Sequence, residues 1–409
     1  MKAGLLGRKL GHSLSPQIHR LFGDYEYRLY EQEPDEVAAF LRKTLAAPVG
    51  EDAPRIAPPS ELASLGGYDG TEELGFLNVT IPYKQTVFAL CDELSPIARK
   101  LGNVNFVTRT EGGRLRGDNT DAFGVERLLD SVGADVRGRN CAILGAGGAA
   151  MTVKAVLEER GARRVAFVRR GEEPGQDDEI IVNATPVGMW PHADDVRVNI
   201  AEFPNCEVVL DLVYNPSPTR LVREARACGK TAADGMVMLV AQAYRAFCLA
   251  VRTGDGSRET PLFLYGPPAS GKSTWAKRIA AATGWTLVDL DAEIVKTSGR
   301  SIPEIFSAEG ERGFRTIEKE CLRKVCAGCA AAPQVVALGG GALLDDECRR
   351  LAGASGRVVV LDCDLETLKS RLTGGNRPLS ADVAKLEALL AARAAHYASY
   401  PRHVQMCRH

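Results

Sequence analysis

The sequence predicts an α/β protein made of two units in tandem, and three observations predict it. A short apolar run, a Gly-rich turn and a helical pattern follow one another twice, at 140–160 and at 262–280. That order is the signature of parallel-sheet architecture. Between the two lies Thr253-Gly254-Asp255-Gly256-Ser257-Arg258-Glu259-Thr260, polar and without apolar periodicity, which is linker composition. The length of 409 residues also exceeds the roughly 100 to 200 of a usual domain.

Composition excludes several classes of function. Hydrophobic residues make up 45% and charged residues 25%, as in an ordinary globular chain. The 51 Lys and Arg against 52 Asp and Glu leave no basic surplus for nucleic acid, so small-molecule substrates are expected. No apolar run approaches the roughly 20 residues of a membrane span, and Arg8, Lys9 and His12 interrupt any secretory core, so a cytoplasmic protein without a membrane partner is expected. The 11 cysteines are scattered and read as reduced thiols. Cys326 and Cys329 form a Cys-x-x-Cys, but no second pair accompanies them at zinc spacing.

In the first half, Met1 to Gly7 reads as a strand, followed by the loop Gly11 to Pro16 and a helix from about Gln17. Ser13 and Ser15 stand where hydroxyls either cap that helix or bind a ligand. Residues 46–73 cluster Pro, Gly and acidic side chains and read as an irregular surface insertion. Asn78-Val79-Thr80-Ile81-Pro82-Tyr83-Lys84 is a β-branched strand that ends in Pro and presents a Lys at the start of the next element. Gly117-Asp118-Asn119-Thr120-Asp121 leads into a helix over Ala122 to Leu129, where Asp121 suits the positive helix terminus.

Asn140 to Leu144, then Gly145-Ala146-Gly147-Gly148-Ala149-Ala150 and a helix to about Arg160, make a dinucleotide fingerprint. The next strand, Arg164 to Val168, ends in Arg169-Arg170 where an acidic residue would grip a ribose 2′-hydroxyl. Guanidinium groups there suit a 2′-phosphate, which favours NADP over NAD. From Arg170 to Ile180 the chain is too short for an intervening helix and strand, so this nucleotide domain reads as abridged.

In the second half, Gly266-Pro267-Pro268-Ala269-Ser270-Gly271-Lys272-Ser273-Thr274 follows the apolar strand Leu262 to Tyr265 and opens a helix, as a phosphate-binding loop requires. Gly266 and Gly271 let backbone N–H groups turn inward, Lys272 brings a charge to the β/γ-phosphates, and the Ser273 hydroxyl is a Mg²⁺ ligand. Thr286 to Asp291 reads as a buried strand with Asp289 and Asp291 on one face. One carboxylate would serve Mg²⁺ and its neighbour an acceptor hydroxyl, with helix capping as the alternative.

The first set of motifs resembles shikimate dehydrogenases over about residues 1 to 252. The match takes in Ser13 and Ser15, Asn78 to Lys84, Gly102 to Asn105, Asn119 to Asp121, Gly145 to Ala150, Asn183 to Met189, Asp211 to Pro216 and Gln242, in that order. The resemblance implies a catalytic pair, Lys84 and Asp121, and contacts to shikimate from Ser13, Ser15, Asn78, Thr80, Asn105, Tyr214 and Gln242. It implies an NADP site at Gly145, Gly147, Gly148, Ala149, Arg169, Arg170, Thr185, Gly235 and Met238. Gly102-Asn103-Val104-Asn105-Phe106 departs from the family's Gly-Ala-Val-Asn-Thr and is expected to set a polar side chain and an aromatic beside the site.

The phosphate loop together with Asp289-x-Asp291, Phe314-Arg315, Gly339-Gly340-Gly341, Arg377-Pro378-Leu379, Arg393 and Tyr397 resembles shikimate kinases over about 261 to 400. That resemblance implies ATP at Gly266, Gly271, Lys272, Ser273 and Thr274, with Lys272 and Asp289 catalytic, and shikimate at Asp291, Arg315, Gly340, Gly341 and Arg393. It also implies Mg²⁺ at Ser273 and Asp289 and a lid carrying Arg377, hinged at Thr373 to Asn376. The chain ends at His409 soon after Tyr400-Pro401, earlier than the family pattern, which is expected to leave the adenine pocket less enclosed.

The expected fold is a three-layer substrate domain over 1–121, completed by a helix at 236–252, and an abridged Rossmann-type NADP domain over 122–235. The linker at 253–260 and a P-loop kinase domain over 261–409 follow. The expected function is NADPH-dependent reduction of 3-dehydroshikimate and ATP-dependent phosphorylation of shikimate. The alternatives are a metabolite-sensing regulator built from these folds, or a quinate/shikimate dehydrogenase fused to a kinase of another small polyol.

Overall fold

The computed structural model describes residues 1–11, 13–45, 74–110, 112–251, 260–373 and 383–406, and it omits the side chains of 372, 373 and 383–386. The surface insertion at 46–73, nearly all of the linker, the hinge at 374–376 and Arg377 lie outside the described residues. The chain divides into two units, Met1–Arg252 and Thr253–His409.

The first unit begins with β1 (Lys2–Gly7), α1 (Ser15–Phe22), β2 (Glu26–Glu31), α2 (Val37–Thr44), β3 (Phe76–Val79), α3 (Lys84–Leu90), β4 (Glu93–Leu94), α4 (Pro96–Leu101), β5 (Phe106–Arg109) and β6 (Leu115–Asp118). Their strands form one sheet in the order β2-β1-β3-β5-β6-β4. β1 pairs in parallel with β2 and β3, while β5 runs antiparallel to β3 and β6. The two-residue period of a strand sends side chains to alternate faces. Leu6, Leu77 and Val107 therefore pack with Phe40, Leu41 and Tyr83 on one side. Ala3, Leu5, Phe76 and Phe106 pack with Ala246 on the other. Helices on both faces make the three layers.

The second sheet of this unit follows α5 (Asp121–Ser131). It is built from β7 (Asn140–Leu144), α6 (Gly148–Glu159), β8 (Arg164–Val168), β9 (Ile180–Asn183), β10 (Val208–Asp211), α7 (Arg220–Ala227) and β11 (Thr231–Ala233), and α8 (Met236–Ala250) comes after it. The strand order is β11-β10-β9-β7-β8. Both β8 and β9 pair with β7, so residues 169–179 carry the chain from one side of β7 to the other, and they contain no helix. The abridgement expected from chain length is present. α8 then returns to the first layers, supplying Ala246 to their core and lying against α5 where Gly124 leaves room for Met238.

The second unit contains β12 (Leu262–Tyr265), α9 (Lys272–Thr283), β13 (Thr286–Asp289), α10 (Leu290–Ser298), α11 (Ile302–Gly328), β14 (Gln334–Ala337), α12 (Asp346–Ser355), β15 (Arg357–Asp362), α13 (Leu365–Thr373), α14 (Val383–Ala398) and β16 (His403–Gln405). Its sheet is parallel throughout, in the order β13-β14-β12-β15-β16. All four residues of β12 are buried, which puts the phosphate loop over the centre of the sheet at the carboxyl ends of its strands. α11 is kinked at Gly310, whose φ of 68° and ψ of −171° interrupt the helix.

Two details correct the sequence reading. The strand expected over Thr286 to Asp291 stops at Asp289, because the Asp289 carboxylate accepts the N–H groups of Asp291 and Ala292 and starts α10 there. Asp289 and Asp291 thus lie on a strand end and a helix, with no shared strand face. β13 is also an edge strand with Thr286 and Leu287 exposed, so it is not buried.

Candidate active sites

In the first unit the turn after β3 delivers Lys84 to the first position of α3, and Asp121 is the first residue of α5. Lys84 Nζ lies 2.5 Å from Asp121 Oδ2, with the two side chains 22% and 11% exposed. A carboxylate in the first turn of a helix is stabilised by the N–H groups there. Those neighbours are fixed in turn by buried amides. Asn119 Oδ1 accepts the Asp121 N–H (3.0 Å), and Asn105 Oδ1 accepts the Thr120 N–H (2.7 Å) while its Nδ2 donates to Thr120 Oγ1 (3.1 Å). Asn78 Nδ2 donates to the Asn105 carbonyl (3.3 Å), and the Tyr27 hydroxyl donates to Asn78 Oδ1 (2.9 Å).

Ser13 Oγ donates to Ser15 Oγ (3.1 Å) and accepts the Ser15 N–H (3.2 Å), but no side chain caps α1, which begins at Ser15 instead of near Gln17. The Thr80 N–H donates to the Leu6 carbonyl, Tyr214 is half-buried, and Gln242 is buried with its Nε2 donating to the Leu239 carbonyl (3.0 Å). The altered 102–106 segment resolves differently from expectation. Asn103 Oδ1 accepts from Asn119 Nδ2 (2.6 Å), so it joins the amide network. Phe106 is a core side chain, 3% exposed, with its ring 5.4 Å from that of Phe76.

The nucleotide turn sits between β7 and α6. Gly145 has φ of 103°, a conformation that favours glycine, and an added Cβ there would lie 2.9 Å from Thr185 Cγ2. Gly147 is the N-cap of α6 without any side-chain cap, and added Cβ atoms at Gly147 and Gly148 would meet nothing within 4 Å. Backbone N–H groups beside that open space suit a pyrophosphate. Ala149 follows in the first turn.

Thr185 is held by Asn183 Oδ1, which accepts both its N–H (3.1 Å) and its hydroxyl (2.6 Å). Asn183 Nδ2 in turn donates to Asp211, which also accepts from the Val213 N–H and the Thr219 hydroxyl. Asp211 is fully buried, and burial pushes its carboxyl up to about 6 against those three donors. One carboxylate therefore ties the loop of Thr185 to the loop of Tyr214. Gly235 caps α8 and donates its N–H to the Val213 carbonyl (2.9 Å), while Met238 packs against Gly124.

Arg169 and Arg170 are exposed past the end of β8. An acidic group stands there after all, because Glu172 Oε2 accepts the Arg169 N–H at 2.7 Å.

In the second unit Gly266 (φ 131°), Ala269 (φ 63°) and Gly271 (φ 93°) curl the loop before α9. A Cβ on Gly266 would lie 2.8 Å from the Leu361 carbonyl oxygen, so the loop passes too close to β15 for any side chain. Gly271 caps α9 with no side-chain partner. Lys272 Nζ donates to the carbonyls of Gly266 (3.0 Å) and Pro267 (2.7 Å), and Ser273 Oγ donates to Asp289 Oδ2 (2.8 Å), while Thr274 is exposed.

The glycine triplet after β14 gathers the remaining predicted residues. A Cβ on Gly341 would lie 2.6 Å from Arg315 Nη2, and one on Gly339 would lie 3.3 Å from Asp291 Oδ1. Arg393 Nη1 and the Tyr397 hydroxyl both donate to the Gly340 carbonyl (3.1 and 2.6 Å).

Several contributors carried no signal of their own in the sequence. Arg371 Nη1 donates to the Ala269 carbonyl of the phosphate loop (3.2 Å). Glu318 accepts from Arg315 Nη1 at 2.5 Å and is 3% exposed, with its carboxyl raised by burial. Only the i,i+3 spacing of Arg315 and Glu318 hinted at this pair. The thiols of Cys326 and Cys329 are free and raised by burial, and no group of metal-ligating side chains occurs among the described residues.

Comparison with known proteins finds a family-model match in each unit. Residues 60–107 match the family model for the shikimate dehydrogenase substrate binding domain, and residues 268–407 match that for shikimate kinase. A shikimate dehydrogenase (NADP(+)) of Clostridium beijerinckii is 32% identical over 266 residues, covering 59% of this chain and 89% of that protein. One from Symbiobacterium thermophilum is 34% identical over 272 residues, covering 58% and 85%. The crystal structure of a Thermus thermophilus shikimate 5-dehydrogenase in complex with NADP(H) and shikimate superposes with a TM-score of 0.50 at 27% identity, over 62% of this chain and 94% of the other.

Proposed function

We propose a bifunctional enzyme on the premise that the chain belongs to the shikimate dehydrogenase family over its N-terminal part and carries a shikimate kinase domain over residues 268–407. The first unit reduces 3-dehydroshikimate to shikimate, and the second phosphorylates shikimate to shikimate 3-phosphate. The observation that carries the reading is the Lys84–Asp121 contact at 2.5 Å, held by buried amides, in a chain whose second unit takes the dehydrogenase's product as its substrate.

NADPH, when bound, supplies the hydride for the carbonyl carbon. The chain supplies the proton and the charge stabilisation. Lys84 Nζ donates to the carbonyl oxygen as negative charge develops on it, and Asp121 holds the ammonium in place. Ser13, Ser15, Asn78, Thr80, Asn105, Tyr214 and Gln242 line the pocket with hydroxyls and amides that orient the substrate's carboxylate and ring hydroxyls.

In the second unit Gly266, Gly271, Lys272, Ser273 and Thr274 hold the ATP phosphates. The oxygen donors Ser273 Oγ and Asp289 Oδ2 fit a hard cation, and Mg²⁺ bound there neutralises phosphate charge. Asp291 holds the attacking 3-hydroxyl, and Arg315 and Arg393 flank the glycine triplet, where planar guanidinium groups suit the substrate carboxylate. The described cysteines are free thiols, which fits a reducing, cytoplasmic setting, and no helix among the described residues is long and apolar enough to cross a membrane.

The test is direct. 3-Dehydroshikimate should oxidise NADPH, and shikimate with ATP and Mg²⁺ should yield ADP. Binding of shikimate without turnover at either site would favour the metabolite-sensing alternative.

A further inference from the structure

The geometry points to Arg197 as a positioning residue that holds the NADP-selecting loop in place of the missing helix and strand, with Glu172 as a built-in brake on that selectivity. This rests on the reading of Gly145 to Arg170 as an NADP site. Residues 169–173 are exposed, between buried Val168 and buried Pro174. In a full βαβ crossover a helix would pack over this point and fix the residues that meet the ribose. Here the support comes from across the sheet's end. Arg197 Nη2 donates to the carbonyl oxygens of both Arg169 (2.7 Å) and Glu172 (2.8 Å), and its Nη1 lies 3.8 Å from Glu173 Oε1.

The base of that side chain is itself fixed. Val198 is buried in the core of the second sheet and Val196 packs against the same core, so the Arg197 backbone between them is pinned. The Arg197 side chain is 15% exposed, and its one Nη2 bridges the two carbonyls that close the turn. The contact fixes where Arg169 and Arg170 leave β8, and it sets a positive charge against that turn.

Glu172 acts in the opposite direction. Its carboxylate accepts the N–H of Arg169, the first residue past β8, where an acidic side chain conventionally meets a ribose 2′-hydroxyl. A 2′-phosphate there meets a negative charge, while a 2′-hydroxyl meets an acceptor. The two residues together predict a dehydrogenase that prefers NADP by a narrower margin than its arginine pair alone would give.

The experiment uses the full chain with shikimate and either NADP or NAD, with the kinase activity of each variant as the internal control. Arg197→Met should raise KM for NADP by about tenfold, the scale of a lost charge-assisted hydrogen bond, and leave KM for NAD within about twofold. Glu172→Gln, which keeps the acceptor and removes the charge, should lower KM for NADP by about threefold, the scale of an exposed charge contact, and leave NAD unimproved.

Equal shifts for both cofactors in Arg197→Met, or none, would overturn the positioning role. A Glu172→Gln variant with unchanged or weaker NADP use would overturn the brake. If Arg197→Met loses all dehydrogenase activity while its kinase survives, directly titrated Kd values decide: NADP weakened about tenfold with NAD within about twofold supports the positioning role, and equal weakening overturns it. A parent chain that turns over no NADP sinks the underlying reading, and the inference with it.

Discussion

The two candidate sites are built from different materials. Around Lys84 and Asp121 the supporting groups are side chains that are almost wholly buried, with Asn78, Asn105, Asn119 and Thr120 each 4% exposed or less and bonded into one network. Around Lys272 the supports are backbone groups of a curled loop, and the side chains that would act, Ser273 and Thr274, are exposed. A buried amide that loses its partner keeps its desolvation cost, whereas an exposed hydroxyl recovers water. The first site therefore ties catalysis to stability, and the second separates them.

That difference can be attacked in three places. The largest effect is expected from Lys272→Ala, which removes the only charge the phosphate loop itself carries. Kinase turnover should fall by on the order of 10³-fold with an unchanged unfolding transition and an unchanged dehydrogenase. A fall of less than tenfold would mean the backbone loop suffices. Lys84→Ala should lower dehydrogenase kcat by on the order of 10²-fold or more while NADP still binds, as expected when a general acid is removed. Retained turnover would take Lys84 out of the chemistry. The smallest effect sharpens the contrast: Thr120→Val strips a hydroxyl from the amide network and leaves Asn105 Nδ2 without it, at a cost of about 1 to 3 kcal/mol. Urea unfolding should show the first unit's transition shifted and the second's in place, and a shift in neither would mean that water replaces the hydroxyl.

The same contrast explains how much was legible in the sequence. Phosphate chemistry demands particular residue types at fixed short spacings, so Gly266 to Thr274 and Gly145 to Ala150 could be read directly. Lys84 and Asp121 were identified only through their family context, because nothing local marks a Lys at a helix start as catalytic. The groups that hold them were not visible at all. Tyr27 reaches Asn78, Asn103 reaches Asn119 and Arg197 reaches Arg169 across folds of the chain that no periodicity reveals. Phe106 looked like a substitution beside the site, yet strand pairing buries it against Phe76. The strand over Thr286 to Asp291 was read two residues too far, and the capping alternative is the one present: Asp289 caps α10 while its other carboxylate oxygen accepts from Ser273.

The central claim is that two separate sites on one chain perform consecutive steps on a freely exchanged intermediate. A mixture of the Lys84→Ala chain with the Lys272→Ala chain, given 3-dehydroshikimate, NADPH, ATP and Mg²⁺, tests it most directly. The account predicts that Lys272→Ala alone accumulates shikimate, that Lys84→Ala alone forms shikimate 3-phosphate on the order of 10²-fold more slowly than the parent chain, and that the mixture forms it at a rate near the parent's. Conversion at the parent's rate by either variant alone, or a mixture that stops at shikimate, would contradict it.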